Sequence, residues 1–498
     1  MQLDHAACYR AIQARDARFD GQFFTGVKTT GIYCRPICPA RTPKPENVTF
    51  YPTAAAAQAA GLRPCLRCRP EASPDLAAWR GTSNTVSRAL ALIETGALDA
   101  ADVGGLAERL GMGERQLRRL FRQHLGASPV AVAQTRRVLL AKQLLNETRL
   151  PLAEVALASG FGSIRRFNET FQSLYARPPS ALRHEAAEVS ARQGSAISLQ
   201  LSYRPPYDWD AMIGFLRLRA IPGVESVEPG RYARSIAIGQ DTGVLMVRPG
   251  TANRLAVDIH FQHLTALPAI IARIRRLFDL AADPLAIGAQ LGLDPVLAPL
   301  VAMRPGLRVP GAWDGFELAI RAILGQQISV TAATALAGKI TAAHGLPLAP
   351  ALQNLAPGVT HVFPRPEDLA QADLASIGMP RSRAAALSSL ATATLADPLV
   401  LSPRGSLDSA IAQLKALPGI GEWTAQYIAM RALREPDAFP HGDIGLMRAM
   451  ADETGQRPTA AHLLARAEAW RPWRAYAALH LWTSEGTPPT QEKIDAQD

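Results

Sequence analysis

Cysteine is scarce in this 498-residue chain and confined to one end: there are five, and none follows Cys68. That absence excludes a thiolate-ligated iron–sulfur cluster from the C-terminal half. No apolar run reaches the roughly 20 residues that cross a bilayer, and no targeting segment stands out. The expectation is a cytoplasmic chain with no membrane partner, whose cysteines are not a disulfide framework. Acidic residues are short only in the first part. Residues 1–190 hold 25 Lys and Arg against 16 Asp and Glu, while residues 191–498 hold 28 against 27. The formal charge of +10 is thus almost wholly N-terminal, which points to nucleic acid as the partner of that part. A chain of this length holds three or four domains.

Four of the cysteines form a C-x3-C … C-x2-C set, Cys34, Cys38, Cys65 and Cys68, with only Cys8 outside it. Soft thiolate ligands at this spacing suit one tetrahedral Zn2+. The residues around them carry more. Asp20-Gly21-Gln22-Phe23, Thr29-Thr30-Gly31-Ile32-Tyr33-Cys34-Arg35-Pro36, Arg41, Glu46-Asn47-Val48 and Gly61-Leu62-Arg63-Pro64-Cys65 resemble the N-terminal domain of the Ada family of alkylation-response proteins. The resemblance implies that Cys34 takes a methyl group from a methylphosphotriester in DNA and that Arg41 meets the DNA. The chemistry is sound, because zinc keeps sulfur deprotonated and a thiolate is the nucleophile. The leaving group is a phosphate diester anion. Transfer would take the zinc tetrathiolate from doubly to singly negative, and a surface facing phosphates gains from that loss. A purely structural zinc knuckle with four inert cysteines is the bland alternative.

Residues 84–184 read as entirely helical, with two helix-turn-helix units. The first runs from Leu106 to Phe121, with Gly111 where a tight turn admits a positive φ and Arg115, Arg118 and Arg119 around the next short helix. The second runs from Leu152 to Phe167 and carries Arg165 and Arg166. A basic bundle with solvated arginines would look similar. The region also resembles the AraC-type DNA-binding domain, including Gly160-Phe161 and the Phe171 to Pro179 tail. That implies insertion into successive major grooves.

Residues 185–196 are small and polar, as in a linker. A small α+β unit follows, with strand-like runs at 197–203, 233–238, 243–248 and 254–260. The remainder is helix-rich. Leu417-Pro418-Gly419-Ile420-Gly421 reads as a hairpin between helices, whose N–H groups grip a DNA phosphate through Gly419 and Gly421. Asp443 lies downstream in Phe439-Pro440-His441-Gly442-Asp443. With Pro205-Pro206-Tyr207-Asp208-Trp209, Arg304 to Arg308, Arg321 to Gln326 and Trp473 to Trp482, the region resembles 3-methyladenine-DNA glycosylase II of the helix-hairpin-helix superfamily. The resemblance implies a base-flipping enzyme. Asp443 would be the catalytic carboxylate, Trp423, Tyr427 and Trp482 the base-stacking aromatics, and Gln326 and Gln327 would lie against the flipped nucleotide. It also implies a monovalent cation at the hairpin. Asp443 alone would more often be a helix N-cap, and the three aromatics more often core.

Three departures narrow the expectation. Trp423 stands where lyases of the superfamily carry a Schiff-base lysine, and an indole forms no imine. Gln327 stands where relatives wedge an apolar side chain into the gap left by the flipped base. The Pro-Cys-His-Arg nucleophile of a second Ada methyltransferase is absent. The expected architecture is a small zinc-bound α/β domain (1–80), an all-α double helix-turn-helix domain (84–184), a small α+β domain (197–285) and a mainly α-helical helix-hairpin-helix domain (286–490). The expected protein is a monofunctional glycosylase fused to a methylation-switched promoter binder. Its partners would be double-stranded DNA and RNA polymerase, and it would act as a monomer. The alternative is a methylation-activated transcription factor with a catalytically silent glycosylase half.

Overall fold

The computed structural model describes residues 4–74, 84–183, 196–402 and 406–485. The expected linker at 185–196 thus lies almost wholly outside the described residues. The N-terminal part is built on four short strands, β1 (Phe24–Val27), β2 (Ile32–Cys34), β3 (Val48–Tyr51) and β4 (Arg63–Pro64), in the order β3-β1-β2-β4. Alternation along the strands gives the sheet two apolar faces. Phe24 and Tyr33 pack with Ala54, Ala57 and Leu62 on one side, and Phe23 packs with Cys8, Ala11 and Ile12 on the other. Cys8 is therefore a core residue. The β1–β2 register sets Thr25 opposite Cys34.

The described residues from 84 to 183 contain helical elements and no strands. The two helix-turn-helix units end in helices Glu114–Leu125 and Ile164–Tyr175, each burying every fourth residue: Leu117, Phe121 and Leu125 in one, Phe167, Phe171 and Tyr175 in the other. Gly111 has φ +69, as its turn requires. Gly160 has φ +89, and a Cβ there would collide with Asp99. The long helix Pro129–Glu147, capped by Ser128 and opened by proline at N1, joins the units.

Five antiparallel strands follow: β5 (Ile197–Ser202), β6 (Glu225–Glu228), β7 (Arg231–Ile238), β8 (Asp241–Pro249) and β9 (Arg254–Phe261), in the order β5-β9-β8-β7-β6. β6 was not expected from the sequence. It is tied in where Tyr232 Oη donates to Glu225 Oε1 at 2.7 Å. One hydrophobic core runs from this sheet into the second helix-turn-helix unit, placing Phe167, Phe171 and Tyr175 with Leu199, Leu201, Ile259 and Ile270. The parts are therefore packed on one another rather than strung on linkers.

The C-terminal helices enclose a second large core that includes Ile320, Ile323, Leu387, Leu390, Ile428 and Leu481. Buried ion pairs, Arg234 with Glu317 and Arg321 with Glu225, each at 2.6 Å, fasten this body to the sheet. Among the described residues no helix is long and apolar enough to cross a membrane.

Candidate functional site

Helix Glu422–Arg431 starts directly from the hairpin, with Gly421 at its N-cap. Trp423 and Tyr427 are one turn apart on it, so their side chains share a face. Their rings stack at 5.1 Å with planes 9° apart, and Trp482, from helix Arg474–Glu485, meets Tyr427 edge-on at 6.5 Å. All three rings are half-buried, so they are neither core nor free surface.

Asp443 is the N-cap of helix Ile444–Ala449, its Oδ1 accepting from Leu446 N at 3.0 Å. The same carboxylate also faces the rings. Trp423 Nε1 donates to Oδ2 at 2.8 Å and Trp482 Nε1 donates to Oδ1 at 2.9 Å. The cap and the carboxylate of the aromatic site are thus one residue. Three N–H donors on one carboxylate fix its plane.

Two residues that sequence reasoning missed complete this corner. Arg431 Nη1 donates to Tyr427 Oη at 2.6 Å, and its guanidinium lies 4.7 Å from the centre of the Phe215 ring. Burial pushes the Tyr427 phenol up, but the Arg431 and Arg219 cations outweigh it and hold the phenol below its usual value. An arginine four residues after Tyr427 on one helix was the available signal. Phe215 comes from a distant helix, Trp209–Leu218, and had none.

The hairpin lies beside this site. Gly419 has φ +80, and a Cβ there would come within 2.4 Å of Ala386. Gln326 Nε2 donates to Gly419 O at 2.8 Å and to Thr424 Oγ1 at 3.0 Å, so its amide is engaged in bracing the hairpin. Gln327 is exposed and left-handed, with φ +58. Both line an open groove with Lys415 through Thr424.

At the other end of the chain, the sulfurs of Cys34, Cys38, Cys65 and Cys68 lie within 4.8 Å of one another. A tetrahedral zinc with Zn–S bonds of about 2.3 Å needs sulfurs about 3.8 Å apart. The four residues fit one zinc ion. Cys65 and Cys68 are buried, whereas Cys34 and Cys38 are half-buried and open on a basin lined by Arg41, Arg63 and Arg67. Arg35 N donates to Cys68 Sγ at 3.3 Å, a contact that only the folded loop reveals.

Family models match along the chain in order: the metal binding domain of Ada over residues 7–71, a helix-turn-helix domain over 106–185, the AlkA N-terminal domain over 198–314, and the HhH-GPD superfamily base excision DNA repair protein over 320–475. A probable bifunctional transcriptional activator/DNA repair enzyme AlkA of Mycobacterium tuberculosis is 43% identical, over 99% of this chain and 100% of its own. The chain belongs to the family of bifunctional Ada/AlkA-type activator and DNA repair enzymes. DNA-3-methyladenine glycosylase 2 of Escherichia coli is 38% identical over 58% of this chain and 99% of its own. The structure of a 3-methyladenine DNA-glycosylase from Archaeoglobus fulgidus shares the fold, with TM-score 0.51 and 22% identity over 58% of this chain and 98% of that one.

In this Ada/AlkA-type chain Arg115, Arg118, Arg119, Arg165 and Arg166 are all exposed on the two helices that end the helix-turn-helix units. Arg118 Nε meets Glu114 at 2.7 Å and Arg165 Nε meets Glu169 at 2.8 Å. Exposed pairs of this kind are worth little.

Proposed function

We propose that this protein is a monofunctional DNA glycosylase for alkylated bases joined to a methylation-switched promoter binder. The clamped carboxylate of Asp443 beside a Trp–Tyr stack carries the reading. Methylation at N3 of adenine or N7 of guanine makes the base cationic, and electron-rich ring faces attract a cation by about 1–2 kcal/mol when water is excluded. Trp423, Tyr427 and Trp482 would hold such a base once it leaves the duplex. The N-glycosidic bond then breaks with its electron pair leaving on the base, which becomes neutral. Asp443, held by its three donors, stabilises the positive sugar, and water adds at C1′ and loses its proton. With Trp423 in place of a lysine no imine forms, so the product is an intact abasic site.

The hairpin N–H groups of Gly419 and Gly421, joined by a monovalent cation, would hold the backbone phosphate, and Gln327 would fill the gap left by the flipped base. At the N-terminus, bound zinc would supply the means to keep four sulfurs as thiolates near neutral pH. Cys34 Sγ then attacks the methyl carbon of a methylphosphotriester, the S–C bond forms, the C–O bond breaks and the electron pair stays on the phosphate. The helix-turn-helix arginines would read a promoter and present the complex to RNA polymerase.

The test is release of 3-methyladenine from methylated duplex DNA by the whole protein and by Asp443→Asn. Release by the wild type alone supports the enzyme. Release by neither, with DNA binding intact, leaves a transcription factor with a silent glycosylase half.

A further inference from the structure

The long helix Pro129–Glu147 belongs to the helix-turn-helix region, yet its single lysine reaches the backbone of the cysteine cluster. Lys142 Nζ donates to the carbonyl of Cys65 at 3.1 Å and to Glu71 Oε2 at 2.8 Å. The pair is dry: the side chains of Lys142 and Glu71 are 3% and 1% exposed. A lysine so placed needs compensating negative charge within the protein, because burial of an unpaired cation is prohibitive. Glu71 is one source, and the four sulfurs near Cys65, held as thiolates by a bound zinc, would be another.

The contacts continue outward. Asn146 Nδ2 donates to Glu71 Oε1 at 3.2 Å, and Arg69 Nη2 bridges to Glu147 Oε1 at 3.3 Å. Glu147 Oε2 accepts from Gln200 N on β5 at 3.0 Å, and Gln143 Nε2 donates to Gln200 O at 3.0 Å. One polar chain thus runs from a cysteine of the cluster through the helix-turn-helix region to the sheet of the repair half.

We propose that Lys142 is a positioning residue of the thiolate centre, supplied by the neighbouring domain, and that methylation of Cys34 is transmitted through it to helix 129–147 and β5. This rests on the reading of Cys34 as the methyl acceptor. In the transfer a doubly negative centre and a neutral triester become a singly negative centre and a diester anion, so one negative charge leaves Lys142's surroundings. The cation holds the centre less firmly afterwards, so its bond to the Cys65 carbonyl slackens while its pair with Glu71 stays. The same cation stabilises charge that transfer removes, so it slows the reaction it reports.

The experiment uses the full-length zinc-loaded protein with a duplex oligonucleotide carrying one methylphosphotriester. Amide hydrogen exchange is followed over 138–147 and 197–202 before and after methylation. Glu71→Gln/Lys142→Met removes both charges together and keeps the shape, Lys142→Arg keeps the charge, and the thiolate-to-metal absorption of cobalt-substituted protein reports the centre in each. In the wild type and Lys142→Arg, exchange in both segments rises at least about threefold on methylation. In the double variant it does not change, while transfer is faster by roughly two- to tenfold. Equal exchange before and after methylation in the wild type overturns the coupling. So does a double variant that transfers more slowly with its cobalt band intact, or one that has lost the band. A wild type that accepts no methyl at all overturns the reading of Cys34 and the proposal with it, and is told apart from these by the missing transfer.

Discussion

Trp423 donates its indole N–H to Asp443 Oδ2 at 2.8 Å, so the ring proposed to hold a base also orients the carboxylate proposed to act on it. Trp482 does the same to the other oxygen at 2.9 Å. Recognition and chemistry are therefore mechanically linked in the proposed reaction: a ring that shifts takes the carboxylate with it. The cap bond from Leu446 N fixes the third direction. Such a site suits a stationary anion better than a proton carrier, because every oxygen is already accepting.

Asp443→Asn should separate catalysis from folding. Asparagine is as good an N-cap as aspartate, so helix Ile444–Ala449 stays. The charge is lost, and an amide NH2 is turned toward one of the indole N–H groups. Single-turnover release of 3-methyladenine should fall by about 10²–10³-fold, with affinity for an abasic duplex unchanged. A fall in both together would mean a disrupted site rather than a lost charge.

Trp482→Phe keeps a ring against Tyr427 and deletes the donor to Oδ1. The expected result is a drop of about tenfold in the single-turnover rate with little change in substrate binding, since one hydrogen bond to a charged group is worth about 1.5–3 kcal/mol. Trp482→Ala should lose binding as well. If Phe and Ala variants behave alike, the N–H has no part in orienting Asp443.

What was legible in the sequence was local. The cysteine spacing, the positive φ of Gly111 and the hairpin glycines are written in short stretches, where turn chemistry and ligand geometry constrain residue type directly. Asp443 carried two readings, N-cap and catalytic carboxylate; it is an N-cap, and the same carboxylate accepts from Trp423 and Trp482. Contacts between distant segments were not legible. Nothing in the local pattern around Lys142 shows that it pairs with Glu71, 71 residues away, because that meeting depends on how helix 129–147 packs. Likewise Phe171 gives a periodic signal for burial, but not for burial against Leu201 and Ile259. The strand Glu225–Glu228 was missed because two glutamates in four residues leave it no apolar alternation, and Glu225 is buried through its pair with the distant Arg321.

Zinc should be present at one ion per chain and depend on all four cysteines. Cys68→Ala removes a buried ligand and the acceptor for Arg35 N. Metal content should fall from one to near zero, and the N-terminal part should lose its protease resistance, since metal binding in such small domains is folding free energy. Retention of a full equivalent of zinc would contradict the four-thiolate site.

The shared core predicts cooperation between the regulatory and repair parts. Phe171 belongs to the second helix-turn-helix unit, while every tryptophan except Trp79 lies after residue 200. Phe171→Ala should destabilise by about 3–5 kcal/mol, and tryptophan fluorescence, reporting the repair half, should show the transition at lower urea. Parts joined only by a linker would leave that transition where it was.

His480 sits on helix Arg474–Glu485 and is 5% exposed, with Nδ1 buried and unpartnered. Burial, aided by the Arg304 cation, pushes it down to about 4. An unfolded histidine titrates near 6.5. Between these values the unfolded chain binds a proton that the folded chain refuses, so stability falls as pH drops. The contribution is fully present above about pH 6.5 and is lost progressively toward pH 4, by roughly 3 kcal/mol in total. His480→Gln keeps a polar side chain of similar reach and cannot titrate. Urea midpoints measured from pH 7.5 to 4 should fall less steeply for the variant than for the wild type between pH 6.5 and 4, and run parallel above pH 7. Equal slopes throughout would show that His480 is not the group that takes up the proton.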